Sequence, residues 1–375
     1  MKTTYLLLCL LGIGSVSGAG QTKQPQKIGD FIESTSYNEH RRNATRSLQY
    51  TPDGDDFVCI NGKNRFTRAL YGSHTAFRLE TSDRPVFAAY TKENPKHICF
   101  KLQTSGGTVA LDSTEHCESR YTAGRRSYSL SDPAFGGGSL SITTWALPDK
   151  EGAIWQFNAR NFKEFHPVLL ASISEIRNSK LNRNGDMGAD PADSFEAPLQ
   201  PQQLQSFPVQ IDGTLYMLLE NQELRTLTTA EGENLFKKAE AARSETASRI
   251  RIETPDPYFN TLGGTLAMAA DGIWDGEVWL HGAIGWRMPL SGWRAAYTGD
   301  VLGWHDRART HFNAYAASQV TEVPNTLPHP AQDSALHLAR SVKKWGTPQY
   351  SNGYICRNPH RNNQMHHYDM NLCYI

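Results

Sequence analysis

The sequence has no excess of charge of either sign: Lys+Arg and Asp+Glu both number 38, and the formal net charge is zero. A nucleic-acid binder carries a basic footprint, so that class is set aside. C-x-x-C and close Cys/His pairs of zinc spacing are also missing, which argues against a structural metal. No Lys-Ser/Thr follows Gly136-Gly137-Gly138, so that run is a turn and not a phosphate loop. The Asn/Asp-rich residues 182–193 miss the ligand spacing of an EF-hand. After the first twenty residues no apolar run approaches the length of a membrane span. The expectation is a protein without metal, cofactor or membrane span, working as a monomer.

Export is the clearest positive signal. Lys2 precedes an apolar run over residues 5–13, and small residues follow over 14–20 before polar sequence begins at Gln21. This is the form of a secretory signal peptide over residues 1–20, with Cys9 inside it, and it places the protein in the periplasm or outside the cell. Five cysteines remain after cleavage: Cys59, Cys99, Cys117, Cys356 and Cys373. An odd number cannot all pair within one chain. Buried free thiols are expected, with one local bridge among Cys59, Cys99 and Cys117 as the alternative.

Residues 21–50 read as a polar leader. Residues 51–229 read as a β-sandwich, because short apolar runs recur between turn signals. The runs are 57–60, closed by Asn61-Gly62 as a hairpin signal, then 85–90, 97–102, 108–111, 139–145 and 153–159. In the last of these, Trp155, Phe157 and Ala159 alternate with Gln156 and Asn158, the period of a half-buried strand. Residues 209–211 and 214–219 read as a further hairpin around Asp212-Gly213. Residues 178–205 read as a long exposed loop.

The period changes near Ala230. Leu235, Phe236, Ala239 and Ala242 mark one face of a linker helix over 230–253. Further helices are expected over 258–270 and 300–318, the latter burying Trp304, Ala308, Phe312, Tyr315 and Ala316. A fourth, capped by Asp333 or Ser334, carries Leu338, Val342 and Trp345. No strand is expected after Ala230, so the chain reads as β first and α second, in two domains.

Residues 254–311 hold Trp274, Trp279, Trp286, Trp293 and Trp304, five of the eight tryptophans, among Arg, His and carboxylate residues. Gly282, Gly285, Pro289 and Gly292 interrupt the stretch from 272 to 300, which reads as a long loop. Loops of that length in compact domains usually carry function. Sugar chemistry accounts for the mixture: indole faces stack on sugar rings, and Arg forks with carboxylates pair with ring hydroxyls. Glycoside cleavage needs two carboxylates flanking the bond. Trp286 and Trp293, each followed by Arg, lean toward a site, whereas Trp274 and Trp304 lean toward core. Asp306 with Arg307 reads as either a local ion pair or a site. Asp271 and Asp275 read as turn and cap residues.

The segments TPDPYFNT (254–261) and DGIWDGEVWLHGAIGWRMPLSGWRAAYTGDVLGWHDRARTHF (271–312) resemble the start of the toroid in six-hairpin glycosidases. HHYDMNL (366–372) is a second, weaker point of likeness. The resemblance is to exported Bacteroidetes proteins tied to glycan-degradation loci. It implies a super-sandwich-like β-sandwich, a linker helix and an (α/α)6 barrel beginning at residue 254, with an oligo- or polysaccharide as substrate. It also implies carboxylate acid/base catalysis, for which Glu277, Asp300 and Asp306 are the candidates. Trp286, Arg287, Trp293, Arg294, His281 and His305 are the candidate substrate contacts. Such a barrel needs about 300 residues at roughly 10–14 per helix plus loops, and 145 follow Ala230. The toroid is therefore expected to be incomplete over 254–375. Two other readings stay open: a non-catalytic carbohydrate-binding protein, and a polysaccharide lyase using Arg361, His366, His367 and Tyr368.

Overall fold

The computed structural model describes residues 50–63, 68–72, 74, 76–91, 95–162, 166–176, 203–208, 213–282, 293–319 and scattered positions to 359, with backbone alone at 203–208 and 293–296. The signal peptide, leader residues 21–49, loop residues 178–202, Trp286, Arg287, Cys356, Cys373, Arg361 and residues 366–372 lie outside them.

Two antiparallel sheets form first in the chain. One has eight strands in the order β1-β2-β8-β9-β10-β11-β14-β15. These are β1 (Thr51–Asp53), β2 (Asp56–Ile60), β8 (His116–Thr122), β9 (Arg125–Ser131), β10 (Ser139–Ala146), β11 (Gly152–Arg160), β14 (Thr214–Glu220) and β15 (Glu223–Leu227). The other runs β13-β12-β6-β5-β4-β3, with β7 beside the far half of β6. Its strands are β3 (Arg68–Tyr71), β4 (Arg78–Thr81), β5 (Val86–Tyr90), β6 (Lys96–Thr104), β7 (Gly107–Ala110), β12 (Val168–Glu175) and β13 (Gln203–Pro208). Alternation sends one set of side chains from each sheet into a shared core. Phe87, Phe100, Trp155, Phe157 and Tyr128 meet there edge to face, with ring centroids 5.0–6.0 Å apart. Such contacts add about 0.5–1.5 kcal/mol per pair beyond area burial.

The hairpin expected at Asn61-Gly62 differs from the sequence reading. Asn61-Gly62 does not turn β2 back on itself. Asn61 adopts a left-handed φ of 50° and extends the β2 ladder, donating its amide to the Cys117 carbonyl and accepting the Cys117 amide at its side chain. The chain then crosses to the other sheet. Residues 209–211 of the other expected hairpin lie outside the described residues, and the last three residues of the expected 178–205 loop are strand instead, since β13 begins at Gln203 and pairs with β12. The hairpin partner of β14 is β15, turned by Asn221-Gln222 with φ of 52° and 66°. Turn residues mark where a chain bends but not which sheet it enters next.

The buried thiols follow expectation: Cys59 and Cys117 are free and buried, and Cys99 is free and half-buried. Burial pushes Cys59 up to about 11 and Cys117 up to about 12, so neither is a ready nucleophile.

Helix α1 (Thr229–Ala247) starts at a capping box in which the Thr228 hydroxyl accepts the Glu231 amide and the Glu231 carboxylate accepts the Thr228 amide. It is no free spacer. Leu235, Phe236 and Ala239 lie on the outer face of the eight-stranded sheet against Trp145, Leu147, Ile154, Tyr216 and Leu218. A polar clamp sits beside this contact. The Glu240 carboxylate accepts the Trp145 indole N–H at 2.8 Å and two Arg243 bonds at 2.6 and 2.7 Å. Burial raises the pKa of Glu240, but the Arg243 bonds, the Arg243 and Arg125 charges and the Trp145 bond outweigh it, so the net shift is downward.

Helices α2 (Pro257–Asn260) and α3 (Leu262–Gly272) follow the expected 258–270 span. The end of α3 lies on the other sheet: the Tyr71 ring covers Gly272 so closely that any Cβ there would strike it. The expected helix over 300–318 is instead two, α4 (Trp293–Val301) and α5 (His305–Ala316). Gly303, at φ 73°, makes the break, a conformation that L side chains resist. The last quarter or so of the expected 272–300 loop, from Trp293, is thus helical. On α5 the buried stripe is Ala308, His311 and Tyr315, continuing from Trp304, while Ala316 is exposed. The fourth expected helix is also corrected: Leu338–Ala339 pairs with Gln332–Asp333 as a two-residue ladder, β17 with β16. Helix propensity is a weak prior that tertiary pairing overrides.

Candidate functional site

The tryptophan-rich segment folds into a second core. Trp274 and Trp279 bridge each other across a tight turn, with centroids 4.6 Å apart. Asp275 holds the turn: its carboxylate accepts the amides of Glu277 and Val278 at 3.0 and 2.7 Å. This is the turn role expected of it. Trp279 is seated against Gly299 of α4, where any Cβ would overlap its ring, and its amide donates to Nδ1 of the buried His311 at 3.2 Å. Ala267, Ala270, Leu302, Trp304 and Ala308 complete the cluster.

Cations edge this core instead of more hydrocarbon. The Arg307 guanidinium lies 4.3 Å from the Trp304 centroid and 5.7 Å from that of Trp274, and Arg249 lies 5.1 Å from Trp304. Arg307 also donates at 2.7 Å to Asp271, whose side chain is 4% exposed. The local Asp306–Arg307 pair, one of the two readings of these residues, is replaced by other partners. Arg307 turns inward to Asp271 of α3, and Asp306 bonds Arg309 one turn along α5 at 3.0 Å. Side chains at adjacent positions point apart on a helix, whereas those three apart meet.

His74, on the loop between β3 and β4, faces the same group. Its pKa is lowered by burial and by the Arg307 charge, against the pull of Asp271, Asp149 and Asp275.

The sequence candidates divide as follows. Glu277 is half-buried on the Asp275 turn, and His281 is exposed just after it. Asp300 and His305 are brought together across the α4–α5 break, with Oδ1 2.6 Å from Nδ1 and both side chains 67% exposed. Asp306 is almost wholly exposed. Trp293 and Arg294 lie at the start of α4, where only backbone is described, and Trp286 and Arg287 lie outside the described residues. Trp274, Trp279 and Trp304 are 3%, 1% and 7% exposed, so they are core and offer no open stacking face.

Sequence reasoning missed Arg126, His74, Arg249 and Tyr297. Arg126 was legible: it shares the inward face of β9 with Tyr128 and Leu130. It is fully buried among the rings of Tyr50, Tyr121 and Tyr128, at 5.8–6.0 Å, and donates to Thr81 and Tyr50.

A narrow crevice runs between the sandwich and the helices, lined by Tyr71, Gly124, Trp145, Pro148, Arg243 and Met268. It belongs to the clamp around Glu240. Among the described residues no group of three or more His, Cys, Asp or Glu side chains is placed to hold a metal ion. Among them, too, no helix is long and apolar enough to cross a membrane.

No curated protein matches the chain. What residues 95–250 do match is the profile of a domain of unknown function, DUF4450, a stretch running from the start of β6 through α1 and ending before the tryptophan-rich segment.

Proposed function

We propose that this chain is an exported glycan-degrading protein of the glycoside hydrolase type, its helices from α2 onward being the opening of an (α/α)6 toroid. What supports the reading is the order and docking of the elements. A sandwich comes first, a capped helix lies against it, and a helical layer follows in which Trp, Arg and carboxylate residues concentrate. Glu277, Asp300 and Asp306 are the carboxylates of that layer offered for acid/base work, with His281, His305, Trp286, Arg287, Trp293 and Arg294 for sugar contact. The test is release of reducing ends from soluble plant and host glycans by residues 21–375. Activity that Glu277→Gln lowers about 10²- to 10⁴-fold carries the reading. Absence of release from every glycan overturns hydrolysis.

A second reading has one observation in its favour. Asp271, Asp300 and Asp306 each already hold a cationic or imidazole partner. Carboxylates so engaged suit hydroxyl recognition without bond cleavage. Glycan binding without release of reducing ends would select this reading.

A further inference from the structure

The sandwich meets the helical layer at a short loop that carries a strained histidine. Residues 72–77 join β3 to β4, and the Gly72 amide donates to the Phe77 carbonyl at 3.1 Å to close them. Within the loop His74 holds a φ of 60°, a left-handed conformation that persists in a non-glycine residue only where the surroundings fix it. The fixing contact is next door. The Tyr71 ring sits on Gly272, the last residue of α3. Asp271, just before it, accepts a bond from Arg307 of α5 at 2.7 Å. The loop thus rests on the end of α3, with its histidine in the field of Arg307.

That guanidinium is not free to retreat, because it is held by Asp271 and lies 4.3 Å from the Trp304 centroid. The charged groups that face His74 are Arg307 of α5, Asp271 of α3, Asp275 of the turn after α3 and Asp149 of the β10–β11 loop. Each carboxylate among them is already committed. Asp271 holds Arg307, Asp275 holds the amides of Glu277 and Val278, and Asp149 holds Lys238 at 2.8 Å. A proton on the His74 ring therefore meets the guanidinium without gaining a carboxylate of its own. Burial first and Arg307 second keep its pKa below the ordinary 6.5. The side chain is open to solvent, so protons reach it.

We propose that His74 is an acid-sensitive latch between the sandwich and the helical layer. Neutral, it lets the β3–β4 loop lie against the end of α3. Protonated, it is pushed off by Arg307, and the loop lifts and unseats Tyr71 from Gly272. The closed loop binds the proton less well than the open one. Mild acid therefore favours the open loop, beginning as pH falls below 6.5. This window lies above that of the Glu240 clamp, whose carboxylate titrates below 4.5. The latch is independent of the glycan reading above.

The test is hydrogen–deuterium exchange of the full chain over residues 68–81 and 262–272 at pH 7.5 and 5.5, corrected for the intrinsic exchange rate, together with an NMR titration of the His74 ring. The parent is expected to lose protection over both segments at pH 5.5, with a ring midpoint below 6.5. His74→Asn carries no charge at either pH and tolerates a left-handed backbone. It is expected to keep its protection at pH 5.5. Full protection of the parent at pH 5.5, or an equal loss in His74→Asn, overturns the latch. Should the asparagine itself loosen the loop at pH 7.5, the parent's ring decides: a midpoint at or above 6.5 overturns the latch, and one below it upholds it.

Discussion

The sandwich core and the helical-layer core both rest on buried aromatic rings, yet they are finished differently. In the sandwich, Phe87, Phe100, Trp155 and Phe157 pack edge to face on one another. In the helical layer, Trp274 and Trp304 are covered by Arg307 and Arg249. Around Trp155 two stacked sheets bury these rings from both sides, so hydrocarbon can close that part, while elsewhere in the sandwich the fully buried Arg126 lies among Tyr50, Tyr121 and Tyr128. Short helices cover only part of each indole, and a long cationic side chain lays its stem and planar head over the remainder while its charge reaches a partner or water. An indole crowded among arginines is thus no sign of an open sugar platform.

The contrast can be broken by mutation. The largest effect is expected for Trp155→Ala in the sandwich, a loss of about 3–5 kcal/mol in chemical denaturation. A value under about 1 kcal/mol would mean that the aromatic spine does not hold the sheets.

Next comes Arg307→Ala. Removing one partner of a buried pair costs about 3–5 kcal/mol, and the 23% exposure of Arg307 reduces the expected loss to about 2 kcal/mol. Asp271→Asn should lose as much, and the double variant little more than either, since the two act as a unit. Additive losses would dissolve the pair.

Glu240→Gln is expected to cost about 1 kcal/mol at neutral pH once solvent screening is allowed for. Its folded-state pKa lies below the ordinary 4.5. The stabilisation is therefore present in full above that value and is lost as pH falls through the folded pKa. Glu240→Gln should be less stable than the parent at pH 7, and the two should converge in acid, as read from denaturation midpoints across pH 3–7.

Smallest of all is Asp306→Asn. Its side chain is 95% exposed and among the described residues its ion pair is with Arg309, so no measurable change in melting temperature is expected. A drop would show that α5 packs more tightly than its outer face suggests.

Much of the fold was legible. Alternation in 153–159 and the runs at 85–90 and 97–102 mark strands that form as expected, because one buried face imposes a period of two. The linker helix was legible from Leu235, Phe236 and Ala239. The break at Gly303 was not: the helical spacing that marked 300–318, carried by Trp304, Ala308 and Tyr315, lies wholly after it. Of the candidate site, residue types pointed to the right segment but not to the right neighbours. Asp300 and His305 meet although they belong to separate helices, and Arg307 turns away from Asp306.

The sequence by itself determined the order of β before α, the alternating strands, the linker helix and the buried thiols. Each of these follows from local periodicity or from the cost of leaving an apolar or polar group in the wrong surroundings. Only the tertiary structure decided which sheet each strand joins, which tryptophans are sealed, and which cation meets which carboxylate. Those choices depend on contacts between residues far apart in the chain, and no local pattern carries them.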